Sequence, residues 1–364
     1  MAKYFLSKFP HLLAFIVCAF CVYTVSAQTM PSVKEGTYVA HDFHFGSGET
    51  LPEMKLHYRT LGEPRKGPDG HVVNAVMILH GTGGDGTTFL GPNFAGVLFG
   101  QGQLLDASKY YIILPDGIGH GGSSKPSDGM HARFPSYDYD DMVAAQHLLL
   151  TKGLSVDHLR LILGTSMGCM HAWVWGETYP GFSDELMPLA CMPVQIAGRN
   201  RITRKMAMDA IRDDPGWNHG EYTTQPEGLK TAIDMLIIMG SSPLQMQKHY
   251  STRDQADAYL ANFVKTRMAA IDANDFLYQF NSSRNYDPSA ELSKITVPVM
   301  AINSADDFIN PPELNIMSGM ITKVKRGKFV LLPITDQTRG HGTHSLPAIW
   351  KDYLAELLQE SEPK

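Results

Sequence analysis

Hydrophobic and polar positions alternate along two early stretches, Tyr38 to Phe45 and Met54 to Leu61, which predicts an antiparallel pair at a sheet edge. Further on, the pattern changes to short, near-continuous apolar runs: Val72–Leu79, Tyr110–Leu114, Leu159–Leu163, Leu186–Met192, Val297–Ile302 and Phe329–Leu332. Runs of that length read as strands covered on both faces. Between them lie stretches of helical composition or period, partly over Phe89–Leu105 and then over Tyr139–Leu150, Met167–Tyr179 and Leu346–Leu358. Strands alternating with helices predict an α/β protein with a mostly parallel sheet and helices on both faces. Right-handed crossovers then bring the loops after the strands to one edge.

One segment breaks the alternation. From Pro193 to Tyr286 helical stretches (202–212, 228–239, 253–272) follow one another without a clear strand. This segment is read as a helical cap inserted over the loop edge, its methionines packing its own interior. The chain therefore divides into a leader over 1–27, a first core part over 28–192, the cap over 193–286 and a second core part over 287–364.

The leader is read from its three-part pattern. Lys3 and Lys8 precede an apolar run from Leu12 to Val22, and Val25-Ser26-Ala27 resembles a cleavage site. The run is short for a membrane span of about 20 residues. A periplasmic or secreted protein without a lasting membrane anchor is expected. The formal charge is −6 over 364 residues, and losing the leader removes two lysines and no acid. No basic block stands out, which argues against nucleic acid as a partner. Beyond the leader two cysteines remain, Cys169 and Cys191, and they are expected as buried free thiols.

The chemistry centres on Gly164-Thr165-Ser166-Met167-Gly168, a G-x-S-x-G turn between a strand and a helix. Such a turn carries a nucleophilic serine on a tight elbow, with the helix N-terminus favouring negative charge beneath it. A serine hydroxyl needs a base, and the base needs an orienting acid. In chain order these should follow the last strands. Asp307 is preferred to Asp306 as the acid, and His341, flanked by Gly340 and Gly342, is preferred to His344 as the base. His344 is expected to start a helix. The amides of Met167 and Thr82 are the candidate oxyanion donors. No metal and no cofactor are expected. Gly117 to Gly122 matches G-x-G-x-x-G, but Ser123, Ser124 and Pro126 follow it where a dinucleotide site would need a helix.

With these loops in this order, the chain resembles the α/β-hydrolase superfamily, and within it the homoserine O-acetyltransferase-like family. The resemblance rests on Leu56-His57-Tyr58-Arg59-Thr60-Leu61-Gly62, on Arg133 to Ser136 with Asp141, Met142, Val143 and Gln146, on the elbow, and on Met208 to Trp217 with Gly220 and Tyr222. It implies an eight-stranded sheet flanked by helices with an inserted helical cap. It also implies acyl transfer through a Ser-His-Asp triad. Thr165 and Cys169 stand where the family's elbow has glycines, and Met208 stands at the arginine of its Q-R-Q-A-I motif. A thioether cannot grip a carboxylate as an arginine does, which argues against homoserine. Outside the cytoplasm water is the abundant acceptor. The expected function is hydrolysis of a small or medium acyl ester, with O-acyl transfer to a hydroxyl as the alternative and a homodimer left open.

Overall fold

The computed structural model describes residues 32–361; the leader lies outside the described residues. Eight strands form one sheet: β1 (Lys34–His44), β2 (Thr50–Leu61), β3 (Ala75–Leu79), β4 (Tyr111–Pro115), β5 (Leu161–Thr165), β6 (Leu186–Leu189), β7 (Val299–Ser304) and β8 (Gly327–Leu332). Their order is β1-β2-β4-β3-β5-β6-β7-β8. Pairing is antiparallel on both sides of β2 and parallel from β3 onward. The apolar runs were central strands because both faces are covered: every residue of β3, β4, β5, β6 and β7 is buried. The amphipathic pair at the edge keeps one face outward.

Helices α1 (Ala95–Leu98), α2 (Tyr139–Leu148), α3 (Met167–Thr178), α9 (Ile316–Met320) and α10 (Pro347–Glu360) accompany the sheet. The start of α2 is set by a reciprocal capping box: Asp138 accepts from the Asp141 amide at 3.1 Å, and Asp141 accepts from the Asp138 amide at 3.0 Å. Between β6 and β7 run five helices, α4 (Gly198–Arg212), α5 (Gly228–Gly240), α6 (Pro243–His249), α7 (Arg253–Met268) and α8 (Ala273–Asn281). They have an apolar core of their own, including Met208, Ile211, Leu229, Ile233, Phe276 and Phe280. Among the described residues no helix is long and apolar enough to cross a membrane.

Several expectations need correcting. Val72 and Val73 are not part of β3; Val72 instead bridges Lys66. Helices α6 and α8 were not anticipated. The largest difference is at the cysteines. Cys169 and Cys191, expected as free thiols, form a disulfide with their Cα atoms 5.9 Å apart. The elbow places the first turn of α3 beside the end of the adjacent parallel strand β6, a proximity that the separation of 22 residues does not reveal.

Candidate active site

The elbow is built by the absence of side chains. A Cβ on Gly168 would lie 2.2 Å from the Leu79 carbonyl oxygen, so only glycine lets α3 start against the end of β3. The Gly168 amide donates to the His80 carbonyl at 3.0 Å and locks that approach. Ser166 itself sits at φ 54° and ψ −109°, a backbone conformation costly for a residue with a Cβ. The strain turns its hydroxyl to the edge of the sheet instead of into it.

Three loops meet there. His341 Nε2 lies 2.8 Å from Ser166 Oγ, and its Nδ1 lies 2.9 Å from Asp307 Oδ2. The Asp307 side chain is fully buried. Burial alone would raise its proton affinity. The opposing charge and hydrogen bond of His341, with further hydrogen bonds from Asn310 and the Ile309 amide, outweigh burial and hold the carboxyl below its ordinary range. Asp307 therefore stays ionised and fixes Nδ1–H as its donor. Nε2 is then left as the acceptor facing the serine.

The two rival residues have other occupations. Asp306 accepts from Ser304 Oγ and, at 2.9 Å, from the Gly340 amide, so it braces the loop that carries His341. His344 is buried in the short turn Gly342–Ser345, just before α10. Its ring packs edge-on 5.2 Å from that of His341, and burial lowers its pKa to about 3, leaving a neutral wall.

Thr82 lies in the turn that the Gly84 amide closes on the Gly81 carbonyl at 3.0 Å. A Cβ on Gly81 would stand 3.2 Å from Ser166 Cβ, so this turn runs directly against the serine. Met167 is the first residue of α3, and its amide has no partner within the helix. Behind the turn, His80 donates through Nδ1 to the Gly81 carbonyl and accepts at Nε2 from the Gly117 amide, both at 2.9 Å. The glycine-rich stretch 117–122 wraps a side chain of the protein itself. Asp116 accepts from the amides of Gly122 at 2.9 Å and Gly86 at 2.8 Å, and pairs with Arg59 at 2.9 Å.

Sequence reasoning missed Arg204. Met208, at the family's arginine position, is buried in the core of the inserted helices and borders neither cavity at the serine. Arg204, one turn earlier on α4, borders both of the cavities that Ser166 and His341 border. It is 5% exposed, donates to Asn200 Oδ1 at 3.0 Å and Ser283 Oγ at 3.3 Å, and lies 5.2 Å from the Phe280 ring. Its electrostatic neighbours are Tyr139 and Arg201, and among the described residues no carboxylate neutralises it. A buried guanidinium without a counter-ion can pair with negative charge on a bound molecule. The i, i+4 relation to Met208 on one helix face was the available signal.

The profile of the alpha/beta hydrolase fold matches residues 74–188. A probable acyltransferase of Methanothermobacter thermautotrophicus is 26% identical over 314 residues, covering 86% of this chain and 93% of the relative. A homoserine O-acetyltransferase of Moorella thermoacetica is 29% identical, covering 74% and 80%. Among solved structures, an acetylester hydrolase from Corynebacterium glutamicum superposes with a TM-score of 0.78 at 21% identity, covering 90% of this chain and 96% of that one. Fold, sheet order and elbow define an α/β-hydrolase, an enzyme of that class. More narrowly, the chain is similar in sequence to homoserine O-acetyltransferases over about three quarters of its length.

Proposed function

We propose that this chain is an exported serine hydrolase that cleaves a small or medium acyl ester. The observation that carries the reading is the unbroken relay from Asp307 through His341 to Ser166, with contacts of 2.9 and 2.8 Å. Ser166 Oγ attacks the ester carbonyl while His341 Nε2 takes its proton. Charge on the carbonyl oxygen is received by the amides of Thr82 and Met167, worth on the order of 3 kcal/mol for each donor. The imidazolium then protonates the departing alcohol, leaving an acyl-serine. Water, deprotonated by His341, attacks that ester and releases the acid. The five helices between β6 and β7 act as the cap, and export by the leader favours water as the acceptor.

A second reading, O-acyl transfer to a hydroxyl, is favoured by relatives named as acyltransferases. Nitrophenyl acetate with and without homoserine or another alcohol separates the two. Turnover in water that vanishes in Ser166→Ala supports hydrolysis, and turnover that needs the alcohol supports transfer. No turnover and no labelling by a fluorophosphonate would sink both.

A further inference from the structure

Ser166 and His341 border two cavities that differ in their walls. The larger, about 950 Å³, carries ionisable groups, among them Asp85, Lys125, Arg267 and Asp275. The smaller, about 410 Å³, has a larger apolar share in its wall: Met170, Ala190, Cys191, Val194, Ile196 and Ile316 line it, alongside Arg199, Arg204 and Glu313. Met170, Ala190 and Cys191 are each at most 5% exposed. The Cys169–Cys191 disulfide ties that wall to the first turn of α3, three residues from Ser166. The cavity also borders Leu314, which is 54% exposed.

We propose that the smaller cavity is the acyl-chain site, and that the enzyme prefers esters of straight acyl chains of about eight carbons. This rests on the serine-hydrolase reading above. At roughly 30 Å³ for a group the size of water, the cavity holds on the order of a dozen heavy atoms, so an acetyl group leaves most of it unfilled. Water against the apolar part of this wall finds few hydrogen-bond partners, and an alkyl chain displaces it. The reaction sequence makes the same assignment. When the serine–acyl bond forms and the ester C–O bond breaks, the chain must stay while the alcohol leaves and water enters. That exchange suits the wider cavity, which has the larger polar share, and retention suits the more apolar one.

The test is a pair of ester series on the full mature chain. For nitrophenyl esters from acetate to octanoate, kcat/KM should rise about fourfold for each of the six added methylenes, for a total on the order of a thousandfold. For acetates of straight alcohols of rising length, it should stay nearly flat. Val194→Trp, with Ile196→Trp as a second variant should the first fail to fold, should lower the octanoate-to-acetate ratio at least tenfold. A flat acyl series, or a steep alcohol series, overturns the assignment. Calorimetry of octanoate binding to Ser166→Ala reads the cavity without turnover. Binding weakened by Val194→Trp supports the proposal even if no ester is hydrolysed, and absence of binding overturns it. Fluorophosphonate labelling and acetate turnover report separately on the hydrolase reading.

Discussion

A Cβ built on Gly164 stands 1.9 Å from the carbonyl oxygen of Gly168, so β5 and α3 cross with no room for a side chain. The obstacle is backbone, which cannot swing aside as a long side chain would. Gly164→Ala should therefore destabilise the fold by about 3 kcal/mol or more. Thermal unfolding of the variant checks this, and a midpoint within a degree of the parent would contradict it.

The two aspartates should separate cleanly. Asp307→Asn removes the charge that orients His341 and should lower kcat by about 10⁴. Asp306→Asn weakens only a brace on Gly340 and should cost tenfold or less. Matched steady-state kinetics on one nitrophenyl ester decide, and equal losses would undo the assignment.

Arg204 offers an anion a partner beside the serine. Small carboxylates such as succinate should inhibit ester hydrolysis competitively, and Arg204→Met should weaken that inhibition tenfold or more. Unchanged inhibition constants in a folded variant would remove Arg204 from the site.

The disulfide closes a loop across the elbow and the end of β6. Replacing both cysteines by alanine should lower stability by about 3 kcal/mol, read by urea unfolding of parent and variant. A loss below about 0.5 kcal/mol would show the cross-link contributes little.

Acid should unfold the protein partly through His171. Burial lowers its folded pKa from 6.5 to about 3. The unfolded chain takes up this proton first, so the stability it supplies is complete above pH 6.5 and lost as pH falls toward 3. Glu185 acts in the opposite sense, since burial raises its pKa from 4.5 to about 7 and its contribution fades as pH rises through that window. His171→Phe should flatten the fall of the melting temperature between pH 6.5 and 4. An unchanged slope would place acid sensitivity elsewhere.

Much of the architecture was written locally. The apolar runs that became β3 to β7 were legible because a strand covered on both faces has no polar side to show. The elbow was legible because its steric demand falls on adjacent residues, Gly164 to Gly168. Asp307 and His341 were found by chain order, and local cues, such as the glycines flanking His341, only favoured them over Asp306 and His344. The choice itself depends on which carboxylate points at which ring.

The sequence by itself determined what one stretch of backbone can satisfy alone: strand and helix periods, and a serine on a tight turn. Only the tertiary structure decided which distant groups touch. It paired Cys169 with Cys191 and buried Met208. It brought Arg204 to the cavities at the serine and made one of them more apolar than the other. The reason is physical. Periodicity records whether a residue faces the interior, whereas its partner there depends on how separate elements pack, and no single stretch of chain encodes that.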